Sequence, residues 1–133
     1  MKFYVAGKWQ DRFLVEQVID KLEELGHSIT EDWTTHEFGP DGVIGDLQEF
    51  AVADIEGVKI ADALCILLLT ERNYKGAWVE MGGALTLSKP VYVIGSKGDS
   101  CIFMNHPLVI KLDSVEEFIE RIIKEQQNEQ GRS

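Results

Sequence analysis

Seven consecutive apolar residues, Ala63 to Leu69, constrain the fold of this chain more than any other stretch. The run is far too short to cross a bilayer, and between Asp62 and Thr70 it reads as a β-strand buried on both faces. Such strands occupy the middle of parallel sheets, where helices cover each side. Parallel neighbours also require crossover connections, so strands and helices should alternate along the chain.

They do. Lys2 to Ala6 is a short β-rich run ending at Gly7, and Phe13, Leu14, Val18, Ile19, Leu22 and Leu25 then recur at helical spacing up to Gly26. His27 to Thr30 makes a second brief strand. Glu31 to Gly45 has no period, is long for a loop in a compact domain, and is read as a cover for a site. Asp46 caps a helix to about Lys59 with Phe50, Ala53, Gly57, Val58 and Ala61 facing inward. After the central strand, a helix beginning at Gly76 is stopped by Lys89-Pro90, VYVIG forms a fourth strand, and the irregular SKGDSCIFMNHP precedes a fifth, LVIKL. Asp113 is expected to cap the last helix, SVEEFIERIIKE, with Val115, Phe118, Ile119, Ile122 and Ile123 inward. The expected architecture is α/β: a doubly wound, five-stranded parallel sheet in the flavodoxin-like order 2-1-3-4-5, with helices on both faces. One domain should span residues 1–125, followed by a fraying polar tail at 126–133.

At 133 residues and 44% hydrophobic content the chain supports one core. Its formal net charge of −10, with no two basic residues adjacent, gives nothing that attracts a nucleic-acid polymer or an anionic membrane. The strand-like N-terminus, without an apolar leader region, and the lack of a CxxC pair around Cys65 and Cys101 point to a cytoplasmic protein. There is no GxGxxG and no GxxxxGK[ST], so the backbone cradle for a dinucleotide or triphosphate is missing. Ala6-Gly7-Lys8 stands where a phosphate-accepting receiver domain needs carboxylates, and His27, His36 and His106 lack ligand spacing. No metal and no cofactor are expected.

Two carboxylates stand at unusual positions. Glu80 shares a helical face with Gly83, Ala84 and Leu87 and so tops an apolar stripe. A first-turn Glu is favoured by the helix dipole alone, but this one also sits at the carboxyl end of a central strand, where open α/β sheets bind ligands. Asp54 lies four residues after Phe50 and three before Gly57, on or at the edge of an inward stripe where Lys59 could pair with it. The switch point between the first and third strands brings together Tyr4 to Trp9, Thr70 to Tyr74 and the Glu80 helix. If Tyr4 and both carboxylates meet there, they suit attack on an anomeric carbon: one carboxylate as nucleophile, the second, with a raised pKa, moving the proton.

These residues resemble the nucleoside 2-deoxyribosyltransferases and their nucleotide N-hydrolase relatives. The likeness lies in Tyr4, Gly7, Trp9, Asp11 and Arg12 of FYVAGKWQDR, in DIEGVKIAD from Asp54 to Asp62, in GAWVEMGGAL around Glu80, and in Asn105. It implies an enzyme acting on a small-molecule nucleoside or nucleotide: Glu80 is the nucleophile, Tyr4 orients it, and Asp54 contacts or protonates the base. Gly7, Lys8, Trp9, Tyr74 and Gly76, at the switch point around these residues, are expected to line the substrate. Asn105 matches a residue that binds the sugar's 5′ side, often from a neighbouring subunit, which implies a homo-oligomer with its site near the interface. As a plain loop residue, Asn105 is equally explained as a turn former.

The departures keep alternatives open. Tyr74 stands where the transferases place an acidic base-reading residue. Lys8, Trp9 and Gln10 stand where the hydrolases place Ser and Arg for a 5′-phosphate, and Lys8 can hold a phosphate only as a point charge. Transfer to a base, hydrolysis of a 2′-deoxynucleoside 5′-monophosphate, and a non-catalytic nucleotide-binding module are therefore all retained. Trp9 and Trp33 either stack on a base or pack the site's wall, and Trp78 is a packing residue.

Overall fold

A computed structural model describes residues 1–70, 74–95 and 101–131. The strands are β1 (Lys2–Ala6), β2 (Ser28–Ile29), β3 (Glu37–Gly39), β4 (Gly42–Ile44), β5 (Ala63–Leu67), β6 (Val91–Ile94) and β7 (Val109–Leu112). The helices are α1 (Arg12–Glu24), α2 (Leu47–Ile60), α3 (Lys75–Thr86) and α4 (Val115–Gln130). Five strands form one parallel sheet ordered β2-β1-β5-β6-β7, which is the expected 2-1-3-4-5 once β3 and β4 are set aside.

β5 is buried along its whole length, as its unbroken apolar sequence requires. Alternate residues of the strands feed two cores. Phe3, Val5, Cys65 and Leu67 meet α1 and α4 through Val18, Leu22, Phe118 and Ile122. Tyr4, Ala6, Leu64 and Ile66 meet α2 and α3 through Val58, Ala77, Met81 and Ala84. Helices therefore cover both faces. Among the described residues no helix is long and apolar enough to cross a membrane, and both cysteines are free.

Several boundaries differ from expectation. The segment 31–45 is not a plain loop: Trp33–Thr35 is a 3-10 turn, and β3 and β4 pair antiparallel around Pro40 and Asp41. Phe13 is exposed and Val15 takes its place in the core, because the stripe on α1 follows Val15, Val18, Ile19 and Leu22. Leu87 is exposed as well, since it lies just past the last turn of α3. Ser114, not Asp113, caps α4, its hydroxyl accepting from the Glu117 amide at 3.1 Å while Glu117 accepts from the Asp113 amide at 2.9 Å. α4 also continues through Gln130 instead of fraying after residue 125, and Gln126 donates its side-chain amide to the Leu25 carbonyl at 3.3 Å.

Candidate active site

The carboxyl ends of β1 and β5 open into a cavity of about 370 Å³. Gly7, Lys8, Trp9 and Gln10 line it after β1, and Trp33, His36, Phe38 and Val43 line it from the hairpin region. Asp54 faces it from α2, and Tyr74, Lys75, Gly76, Ala77 and Glu80 complete it at the start of α3. The segment expected to cover a site thus lines this cavity, in part as a hairpin. Residues 71–73, part of the expected rim, lie outside the described residues.

Tyr4 is fully buried on the α2/α3 side of β1, and its hydroxyl donates to Glu80 Oε2. Glu80, in the second turn of α3, is itself buried. Burial pushes its carboxyl up to about 8; the Tyr4 hydrogen bond opposes that rise, and the nearby Asp54 charge adds to it. Burial, then the Glu80 charge and hydrogen bond, hold the Tyr4 phenol protonated well above its ordinary range. Tyr4 is therefore a fixed donor to Glu80.

Asp54 is half-buried, and its Oδ1 is buried without a hydrogen-bond partner among the described residues. Burial raises its pKa; His36 pulls it down and Glu31 pushes it up. Donor atoms of Glu31, His36 and Asp54 all lie within 4.8 Å of one another, the grouping that could hold a metal ion. Without an ion, His36 and Glu31 are the neighbours that act on the Asp54 charge in opposite directions, beside the rise that burial causes.

Other anticipated residues are more committed to the chain itself. Tyr74 is buried; its hydroxyl oxygen accepts from the Thr70 amide at 2.8 Å, and its ring lies under Lys8 Nζ and edge-on to Trp78. Lys8 Nζ also donates to Thr70 Oγ1. Trp9 stacks on Phe38 with Arg12 over its ring, and Trp33 donates to the Val5 carbonyl at 2.7 Å, so both indoles are packed by the chain while lining the cavity. Asn105 is not brought to the cavity: it is exposed on the 3-10 turn Ile102–Asn105, donating to the Ile102 carbonyl at 3.3 Å. Glu31, His36 and Lys75 belong to the site region but are not singled out by the sequence. The first two lie in the aperiodic segment, where no spacing marks a face.

A family model described as nucleoside 2-deoxyribosyltransferase matches residues 3–123. Among solved structures, the chain is similar to a CMP N-glycosidase of Clostridium botulinum at 15% identity and TM-score 0.64, covering 92% of this chain and 98% of that one. It is similar to a 2-deoxyribosyltransferase from the psychrotolerant bacterium Bacillus psychrosaccharolyticus at 21% identity and TM-score 0.63, covering 90% of each chain. A conserved protein of Enterococcus faecalis V583 aligns at 18% identity and TM-score 0.62, over 94% of this chain and 98% of that one. At these identities the structures establish a shared fold. No curated protein sequence gives a significant match.

Proposed function

The chain belongs to the nucleoside 2-deoxyribosyltransferase family, and we propose that it cleaves the N-glycosidic bond of a 2′-deoxynucleoside through a covalent sugar on Glu80, passing the sugar to another base or to water. The observation that supports this reading most is the Tyr4 hydroxyl donating to a buried Glu80 carboxylate inside a cavity that Asp54 also faces.

With one carboxylate oxygen held by Tyr4, the other attacks C1′. The C1′–N bond breaks, its electron pair goes to the base, and Asp54 supplies a proton to the departing nitrogen. The transition state is oxocarbenium-like and is stabilised by the adjacent carboxylate. In the second half an incoming base or water attacks C1′ from the vacated side, Asp54 takes the proton back, and Glu80 is released with net retention. Glu80 must be ionised to attack and Asp54 protonated to assist, so the two carboxyls divide the roles of nucleophile and acid.

The test is mass spectrometry of intact protein incubated with a 2′-fluoro-2′-deoxynucleoside, whose fluorine slows release of the sugar, followed by peptide mapping. An adduct on the Glu80 peptide is expected. Turnover of a deoxynucleoside that survives in Glu80→Gln would overturn the covalent role.

A second reading, hydrolysis of a nucleoside 5′-monophosphate, is supported by two cations in the cavity wall, Lys8 after β1 and Lys75 at the N-terminal end of α3, where the N-cap residue Tyr74 makes no capping bond. Comparing turnover of a deoxynucleoside with that of its monophosphate separates the readings. Lys8→Ala should impair only the second.

We further propose that the chain works as a homo-oligomer in a reducing cytoplasm, which suits its two free thiols. Ile102 and Phe103, on the same turn as Asn105, are 75% and 59% exposed, and a second copy covering that turn would remove them from water. A monomer at assay concentration with full turnover would remove this element of the reading.

A further inference from the structure

Gly57 stands in α2 at a place where alanine would be the better helix former, three residues from the helix's end. What it provides is closeness. A Cβ at this position would lie 2.8 Å from Glu31 Cβ and 3.0 and 3.2 Å from Cδ2 and Cε2 of Tyr4. The α2 backbone is therefore pressed directly on the edge of the ring whose hydroxyl donates to Glu80.

The approach is held from a second side. Thr30 Oγ1 donates to the Gly57 carbonyl at 2.7 Å, although that carbonyl already accepts the Ala61 amide at 3.2 Å. The Thr30 amide donates in turn to the carbonyl of Phe3 at 3.0 Å, next to Tyr4 on β1. Thr30 thus joins the backbone of β1 to the backbone of α2. Asp54 lies one turn before Gly57 on that helix, so the same contact sets the depth at which its carboxyl enters the cavity.

We infer that Thr30 and Gly57 form a positioning clamp that fixes Tyr4 against Glu80 and Asp54 opposite them, so that a methyl group at 57 or a lost hydroxyl at 30 disturbs the catalytic geometry. The inference rests on the glycosyl-transfer reading for its kinetic consequence only. Helix propensity alone predicts the opposite sign for Gly57→Ala, a more stable helix with unchanged chemistry.

The experiment follows the Glu80 carboxyl by ¹³C NMR titration in protein labelled at Glu Cδ, with Glu80→Gln giving the assignment, alongside kcat and KM on deoxynucleosides and their monophosphates. Gly57→Ala and Thr30→Val should raise the Glu80 midpoint, because a displaced Tyr4 donates less well to the carboxylate, and should lower kcat at least tenfold while KM stays within threefold. Thr30→Ser, which keeps the donor, should restore both. In a Tyr4→Phe background Gly57→Ala should no longer move the midpoint. An unchanged midpoint in Gly57→Ala and Thr30→Val, or an equal shift in the Tyr4→Phe background, would overturn the clamp. If Gly57→Ala does not fold, Thr30→Val against Thr30→Ser decides between clamp and no clamp. A wild-type protein that turns over no nucleoside defeats the functional reading, and the titration alone then tests the clamp.

Discussion

The indole of Trp9 lies face to face with the ring of Phe38, 4.7 Å between centroids and 14° between planes, so that β3 is fastened to the turn after β1. The Arg12 guanidinium sits 4.2 Å from the same indole centroid. His36 makes a similar stack on Phe50 of α2 at 4.0 Å. The hairpin that walls the cavity is thus held by aromatic contacts at two points and by few residues of its own sheet. Phe38→Ala should release the first point. An aromatic pair contributes about 0.5–1.5 kcal/mol, so KM should rise about twofold to tenfold with little change in kcat. Hydrogen exchange over residues 37–44 should quicken in parallel; unchanged exchange would mean that the hairpin is held elsewhere.

The Glu80 carboxyl, raised by burial to about 8, gives opposite pH trends for activity and stability. In the proposed mechanism Glu80 must lose this proton and Asp54 must keep its own, so kcat/KM should rise with pH as Glu80 ionises and fall again where Asp54 does. Between the unfolded value of 4.5 and about 8 the folded protein binds more of this proton than the unfolded chain does. Stability from this group is therefore complete below 4.5, falls as pH rises through the window, and is lost above it, by at most about 5 kcal/mol at about 1.4 kcal/mol per pH unit. Glu80→Gln should flatten that slope in urea melts at pH 5 and pH 9. A slope as steep as wild type would show that Glu80 does not titrate in this window.

The sheet was legible because one signal was unambiguous: a strand with no polar residue from Ala63 to Leu67 belongs in the middle, and everything else is placed around it. Glu80 and Asp54 stood out by position within helical periods. The hairpin did not, because three residues in each of β3 and β4 are too few to show alternation, and its order comes from Trp9 and Phe50, which are distant in sequence. For the same reason His36 and Glu31, which shape the charge on Asp54, carried no mark. Polarity misplaces the end of α4, although Gln and Glu are good helix formers. Asn105 rested on resemblance alone, and within one chain it lies away from the cavity.

Lys89 closes the carboxyl end of α2 from outside it. Its ammonium donates to the carbonyls of Val58 at 3.1 Å and Ala61 at 2.5 Å, and to that of Lys59. Three carbonyls at the negative end of a helix thereby receive one cation. Lys89→Met keeps most of the aliphatic stem and removes the donors, and should lower stability by about 1–2 kcal/mol. KM should stay as in wild type, because Lys89 is remote from the cavity lining. A denaturant midpoint that does not move would mean that water caps α2 equally well.

Tyr4→Phe separates the ring from its hydroxyl. The ring fills the core beside Gly57 and would stay, so the fold should hold; the hydrogen bond to Glu80 would go. A hydrogen bond to a charged partner contributes about 1.5–3 kcal/mol, and in the proposed mechanism the ionised carboxylate is the form that attacks. Its loss should lower kcat about tenfold to a hundredfold and shift the rising limb of the pH profile upward, because the bond is what opposes the effect of burial on Glu80. The upward shift is the informative part. A general loss of packing would lower activity at every pH alike, whereas a lost donor makes Glu80 harder to ionise, so the loss should be greatest on the rising limb of the profile. A uniform fall across pH would assign Tyr4 to the core and leave Glu80 to be oriented by another group.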